Sequence, residues 1–264
     1  MSQNDRKDWD PGTYARFRDL RLRPARDLIA QIGEVPFGPV VDLGCGDGAV
    51  AMSLALKFSG NPLVGVDNSP AMLAKAAETR CYTDLIDADI ASWRAFDPPS
   101  VIFSNAALHW LDDHAALMGR LAAMLVPGGV LAVQMPHQFD APSHSLLRQL
   151  ADDLFPGRVT APGAWATPVG RAEDYARMLE PLGPVEAWET TYVQRLEPVA
   201  SAHPVRRFTE ATAMRPFLAA LNEEEAGRFT SAYEAELAAA YPAEDDGTVL
   251  FPFRRVFFTL TLPR

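Results

Sequence analysis

The sequence predicts an α/β fold, a mostly parallel sheet flanked by helices, and three observations carry that expectation. Apolar runs of strand length recur at 39–43, 62–67, 84–90, 100–105 and 130–136, with helical stretches between them. Strands buried on both faces read as continuous apolar runs, and alternation with helices implies parallel βα units. The first run, Val40, Val41, Asp42, Leu43, opens into a glycine-rich turn, Gly44, Cys45, Gly46, Asp47, Gly48. The second run ends on an acid, Asp67, with Asn68 beside it, about one βα unit later. A strand, a glycine turn, a helix and a second strand ending in a carboxylate form the arrangement in which an adenosine ribose is held.

The elements follow in order. Ala25, Leu28, Ile29 and Ile32 lie at helical spacing, and Pro24 suits a first helical position, so the first core helix is expected over 24–32. Asn61 with Pro62, Pro98 with Pro99, and Pro127 with Gly128 and Gly129 punctuate the strand entrances. After Pro136 the rhythm changes: 143–155, 171–182 and 208–241 read as helices, while 185–196 and 254–262 alternate as strands. These late strands complete the sheet, and the helical segments 141–184 and 197–250 are expected as caps on a core spanning 24–140. Residues 1–23 form an amino-terminal lid in this reading of a single 264-residue domain.

Composition narrows the function. A formal net charge of −10 and a pI near 5.0 oppose general binding to nucleic acid or an anionic membrane. No apolar run is long enough to span a bilayer, and the polar start MSQNDRKDWD lacks a signal-peptide core. Cys45 and Cys81 are the only cysteines, which fits a reducing, cytoplasmic setting. All but three of the 24 cations (Lys7, Lys57 and Lys75) are arginine, a side chain suited to bidentate carboxylate contacts, although codon bias produces the same composition.

The turn has spacing G-x-G-x-G, with the third glycine one residue short of the dinucleotide fingerprint. Asp42 just before it and Asp47 within it would repel a pyrophosphate and tolerate a cation. S-adenosylmethionine carries a sulfonium, an ammonium and an adenosine but no phosphate, so both departures point to it. Asp67 would accept from the ribose hydroxyls, or cap the helix that begins near Ser69 and Pro70. Asp89 and Ile90, expected to close the third strand, would accept the adenine amine and cover the ring. Met72 would face the same ring; for Met72 and Ile90, core packing is the alternative. Cys45 reads as a small space-filling residue.

These segments resemble a known family. Asp42 to Gly48 and Gly65 to Asp67, continued by Ser69 to Leu73, resemble motif I and its partner acid in class I S-adenosylmethionine-dependent methyltransferases. Trp9, Asp10, Pro11, Tyr14 and Phe17, then Ala88 to Ile90 with Trp93, SNAALHWLD at 104–112, VLAVQMP at 130–136, WETTYVQRL at 188–196 and ATAMRPFL at 211–218 are similar to the trans-aconitate 2-methyltransferase family. The resemblance implies a Rossmann-like class I methyltransferase sheet with a late antiparallel strand, and methylation of a carboxylate of a small polycarboxylic acid.

Under that resemblance no catalytic acid or base is expected, because a carboxylate with a pKa of about 4 is already ionised at neutral pH. The candidates for holding the acid are Arg215, Arg254 and Arg255, with Tyr14, Tyr192 and His109 as further donors. Trp9, Tyr14 and Phe17 would form a lid over the sulfonium, or an ordinary packed helix. Arg23 would reach the methionine carboxylate of the cofactor, and Asn105, ending the fourth strand, would stand where methyl donor and acceptor meet. No metal is expected, since the spacing of His109, His114, His137 and His144 matches no common ligand motif. Two alternatives remain at this stage: carboxyl methylation of a carrier-bound acyl group, as in the malonyl-carrier methyltransferase of biotin synthesis, and a cofactor-sensing module without turnover. The first needs an exposed basic face; arginines 16, 18, 21, 23 and 26 are the only dense candidates, and they do not share one helical face.

Overall fold

The computed structural model describes residues 18–159, 169–210 and 212–264, with no account of the side chains of 18–21. The described elements run α1 (Arg18–Gln31), β1 (Val40–Leu43), α2 (Ala51–Lys57), β2 (Leu63–Asp67), α3 (Pro70–Glu78), β3 (Asp84–Asp87) and β4 (Val101–Asn105). A 3₁₀ turn (Leu108–Trp110), α4 (His114–Ala122), β5 (Val130–Pro136), α5 (Pro142–Leu154), α6 (Ala172–Leu179) and β6 (Val185–Leu196) follow. The chain ends with α7 (Pro204–Glu210), α8 (Arg215–Ala219), α9 (Glu223–Ala240) and β7 (Val249–Thr261).

Seven strands form one sheet in the order β3-β2-β1-β4-β5-β7-β6. The registers Val41 to Val64, Val41 to Ile102, Asp67 to Asp87 and Asn105 to Gln134 are all parallel. β7 runs the other way, since Leu262 donates to the carbonyl of Gly129 while His137 donates to that of Arg254. The reversal of order between β1 and β4 is a topological switch point, where ligands of open α/β sheets bind beyond the carboxyl ends.

The chain divides into two compact units, one within Met1–Met135, Pro168–Glu189 and Val256–Arg264, the other within Pro136–Thr167 and Thr190–Arg255. In the first, β1 is buried along its whole length and Leu43, Val66, Ile102, Leu131, Val133 and Phe258 belong to one apolar core. In the second, α5, α7 and α9 pack together, and the hydroxyl of Tyr233 on α9 donates to the carbonyl of Ser143 on α5 at 2.7 Å. No helix among the described residues is long and apolar enough to cross a membrane.

Several elements differ from the sequence expectation. Pro24 lies inside α1 instead of at its first position. A proline there forfeits one hydrogen bond of the preceding turn, so the helix continues only at that cost. The third strand ends at Asp87, and Asp89 and Ile90 belong to the turn beyond it. The expected long helix 208–241 is three helices. Pro216 stands in the first turn of α8, and Asn222 and Glu225 form a reciprocal capping box at the start of α9. The last strand begins at Val249, five residues earlier than its expected start at 254. Segment 171–182, expected as part of a cap, packs into the first unit, where Tyr175 stacks on Phe258 with ring centroids 4.7 Å apart.

Tyr175 also fixes a buried histidine. Its hydroxyl lies 2.6 Å from Nδ1 of His114, whose Nε2 is 3.1 Å from the carbonyl of Leu108. Burial holds the His114 pKa below its ordinary value, so the ring is neutral and both nitrogens are committed. Tyr175→Phe is expected to cost about 1–3 kcal/mol, the penalty for stranding a buried polar atom. Urea unfolding of the two proteins measures it, and equal midpoints would contradict the role given to this hydroxyl.

Candidate functional site

Four strand ends of the first unit meet at the glycine turn. Gly44 and Cys45 both donate to the carbonyl of Val66, at 2.8 and 3.0 Å, which pins the turn after β1 to the end of β2. Gly46 N–H donates to Oδ2 of Asp67 at 2.9 Å, and Ser69 N–H donates to Oδ1 of the same carboxylate at 3.0 Å. Asp67 thus braces the turn from β2. Ser69 caps α3 by accepting from Met72 N–H at 3.3 Å, with Pro70 in the first turn.

Gly44 is required twice over. Its φ is +78°, and a Cβ there would stand 2.3 Å from Cβ of Ala107 and 3.3 Å from Cδ1 of Ile90. The segment after β4 and the turn after β3 therefore close on the glycine directly. Gly46, with φ +53°, has open space where a Cβ would lie. The backbone here leaves a cradle lined by Ile90, Asp67 and the β4 end.

Asp42 takes a different place from the one its sequence position suggests. It is buried beneath the turn, where its Oδ2 accepts from the Tyr82 hydroxyl at 2.7 Å. Burial pushes its pKa up to about 7 against the partial relief of that hydrogen bond, and the Asp67 charge adds to the rise. Asp42 is therefore largely protonated below neutrality, and the carboxylates less deeply set at the turn are those of half-buried Asp67 and Asp47. The Cys45 thiol is buried and its pKa is raised, chiefly by burial, which makes it a packing residue and a poor nucleophile.

Asp89 is exposed and organises the turn after β3. Its carbonyl accepts from Ser92 and Trp93 at 3.0 and 2.8 Å, and its Oδ1 accepts from Ala91 N–H at 2.9 Å. Arg120, which the sequence reading did not single out, secures the same turn by donating to the carbonyls of Trp93 at 2.7 Å and Ile90 at 2.8 Å. A lone arginine between Leu117 and Leu121 on the apolar side of α4 was the available signal. Tyr82 was also missed, and nothing in its sequence surroundings sets it apart.

At the end of β4, Asn105 keeps Oδ1 buried with no hydrogen-bond partner among the described residues. Ala106, next along, sits at φ +54° with its N–H on the carbonyl of Gln134 at 2.9 Å. The stranded oxygen suits a ligand bearing donors, and S-adenosylmethionine offers an ammonium, ribose hydroxyls and an adenine amine. Met72 is buried, Asn68 is exposed, and Arg23 is exposed on α1. His109 is half-buried, its ring 4.6 Å from that of Trp110. Trp9, Tyr14 and Phe17 lie outside the described residues.

The other acid-binding candidates belong to the second unit. Tyr192 is buried on β6, and Arg215 is half-buried at the start of α8. Arg254 donates from its backbone to Oε1 of Gln138 at 2.8 Å and from Nε to the carbonyl of His137 at 3.2 Å. Arg255 is almost wholly buried, its guanidinium carbon 4.7 Å from the ring centroid of Phe253. Among the described residues, no group of three or more His, Cys, Asp or Glu side chains gathers as metal ligands.

Comparison with known proteins identifies the family. Residues 14–182 match the family described as "Methyltransferase domain", so the fold and site define a methyltransferase. Among solved structures, Haemonchus contortus phosphoethanolamine N-methyltransferase 2, in complex with phosphomonomethylethanolamine and S-adenosylhomocysteine, shares the fold at TM-score 0.54 and 18% identity. The match covers 92% of this chain and 53% of that one. The plantazolicin methyltransferase BpumL, solved with S-adenosylhomocysteine, does so at TM-score 0.51 and 12% identity over 97% and 92% of the two chains. A curated trans-aconitate 2-methyltransferase of Methylobacterium nodulans is 41% identical over 95% of this chain and 96% of its own. That of Klebsiella pneumoniae is 40% identical over 95% and 96%. The chain belongs to the trans-aconitate 2-methyltransferase family.

The buried acid yields a pH test. Between about pH 4 and 7 the unfolded chain ionises Asp42 while the folded chain keeps it protonated, so wild-type stability falls across that window and the loss levels off above it. Asp42→Asn retains an acceptor for Tyr82 and carries no charge. Its stability relative to wild type is expected to rise between pH 4 and 7, by up to roughly 4 kcal/mol at about 1.4 kcal/mol per pK unit. Denaturant melts at pH 4.5, 6 and 8 read this, and a difference independent of pH would contradict the burial argument.

Proposed function

We propose that this chain transfers a methyl group from S-adenosylmethionine to a carboxylate of a small polycarboxylic acid, with trans-aconitate as the acceptor and a monomethyl ester as product. The observation that carries the reading is the likeness to trans-aconitate 2-methyltransferases over 95% of the chain, near 40% identity. The cradle supports it: a carboxylate-braced turn, a stranded Asn105 oxygen and a closely approached Gly44 suit a cationic adenosine ligand and disfavour a pyrophosphate.

S-adenosylmethionine, when bound, supplies a methyl group on a positively charged sulfur, open to in-line displacement. The chain's own residues hold and orient. Asp67 keeps oxygen lone pairs for the ribose hydroxyls while bracing the turn, Ile90 offers apolar cover for the adenine, and Asn105 Oδ1 accepts from a cofactor donor. Asp89, Asn68, Met72 and Arg23 complete the proposed contacts.

The acceptor carboxylate is anionic at neutral pH, so no residue has to remove a proton from it. What remains is alignment and exclusion of water, and good alignment alone is worth effective molarities of about 10⁵ M or more. Guanidinium groups suit the acid's other carboxylates. Arg215, Arg254 and Arg255 are the proposed holders, with Tyr192, His109, Tyr14 and Trp9 as further contacts. The net charge of −10 disfavours nucleic acid or an anionic membrane as partner. With only two cysteines, a reducing cytoplasmic setting suits the chain.

Incubation with S-adenosylmethionine and a panel of di- and tricarboxylic acids, read by mass spectrometry, tests the reading. A methyl ester of trans-aconitate is the expected product, and no ester from it would refute the acceptor assignment. Arg215→Ala is expected to raise the KM for the acid at least tenfold with cofactor affinity nearly intact. Loss of cofactor binding in that variant would place Arg215 elsewhere.

A further inference from the structure

The second unit buries an amide that its own fold does not use. In the outer part of β6, Tyr192, Gln194 and Leu196 are buried while Thr191, Val193 and Arg195 are exposed. In the facing part of β7, Val249, Phe251, Phe253 and Arg255 are buried while Leu250 and Pro252 are exposed. The two strands are neighbours in the sheet, and each has a single buried face here, so these side chains share that face.

The shared face is strongly apolar. Phe251 and Phe253 have ring centroids 5.6 Å apart, Phe208 of α7 lies 5.3 and 5.5 Å from them, and Tyr241 lies 5.3 Å from Phe251. Arg255 and Gln194 are its polar members between the strands. Gln194 is 4% exposed, and neither its Oε1 nor its Nε2 has a hydrogen-bond partner among the described residues. The charged group beside it in sequence serves the opposite face, where Arg195 donates to Thr248 Oγ1 at 2.6 Å and pairs with Asp246 at 3.6 Å.

A buried amide without partners destabilises a fold, and leucine, of similar volume, would satisfy this apolar face without that cost. Retaining a glutamine there makes sense if a ligand group completes it. Buried sites that hydrogen-bond a substrate discriminate strongly against analogues lacking the matching group.

We propose that Gln194 is a specificity-determining contact for the acceptor acid, its Nε2 donating to a carboxylate oxygen. The inference rests on the polycarboxylic-acid reading above. The contact is directional, because the carbonyl end repels a carboxylate and leaves only the amino end to face it. A neutral donor lets the face read a carboxylate without adding a second buried charge to that of Arg255. Gln194 touches the acid and takes no part in proton transfer.

Three proteins test this: wild type, Gln194→Leu and Gln194→Glu, each assayed with trans-aconitate at saturating S-adenosylmethionine and melted without ligands. Gln194→Leu is expected to raise the acid's KM at least tenfold, change kcat less than threefold, leave cofactor affinity within twofold, and melt no lower than wild type. Gln194→Glu presents a carboxylate to a polyanion and is expected to raise KM further, with partial recovery at pH 5 as the new side chain protonates. It reads the same contact should the leucine variant not fold. A wild-type KM in the leucine variant, whatever its melting temperature, overturns the proposal and assigns the amide to an internal water. The wild-type arm stands apart: a wild type that forms no ester of any polycarboxylic acid fails the underlying reading and this one with it, whereas an active wild type with an insensitive Gln194 fails this one alone.

Discussion

The structure depends on the clamp between the glycine turn and the end of β2. Gly44 and Cys45 share the Val66 carbonyl, and Gly46 donates to the Asp67 carboxylate, which also holds Ser69 at the start of α3. Two strands, a turn and a helix are thereby fixed by one carbonyl and one side chain. With Gly44 carrying no Cβ, Ala107 and Ile90 approach from the neighbouring strand ends, and a cradle forms at the switch point of the sheet. Larger side chains at Gly65 would break the same region from below, because a Cβ there would stand 2.7 Å from Leu85 and 3.1 Å from the Cys45 sulfur.

Electrostatics at the cradle are layered. Asp67 presents a half-buried carboxylate, while Asp42 lies beneath it, buried and tied to Tyr82. Burial raises the Asp42 pKa most, and the Asp67 charge adds to the rise. A bound cation would relieve that tension. A pyrophosphate would worsen it, which is the physical content of the glycine turn's departure from the dinucleotide spacing.

The sheet was legible in the sequence because buried strands need unbroken apolar runs, and β1, β2, β4 and β5 lie where those runs stand, while β6 lies where residues alternate. β3 was read too long because Ala88 and Ile90 are apolar for a different reason: they pack against the core from the following turn. β7 was read too short: it runs through Pro252, which sits at an exposed position and whose carbonyl accepts from Gln138 Nε2 at 3.2 Å. The helical stretch from 208 was read as continuous although Asn222 and Glu225 carry a capping signature. Within the site, Asp67 and the glycines were legible as a motif, whereas the burial of Asp42 under Tyr82 and the isolation of the Gln194 amide are tertiary facts with no local pattern.

The central claim is that the cradle selects a cationic, phosphate-free adenosine ligand. Isothermal titration of the purified protein with S-adenosylmethionine and with NAD, at equal ionic strength, tests it most directly. The account predicts micromolar binding of S-adenosylmethionine, at least a hundredfold weaker binding of NAD, and loss of the former in Asp67→Ala. Comparable affinity for the two ligands, or undiminished binding in that variant, would contradict it.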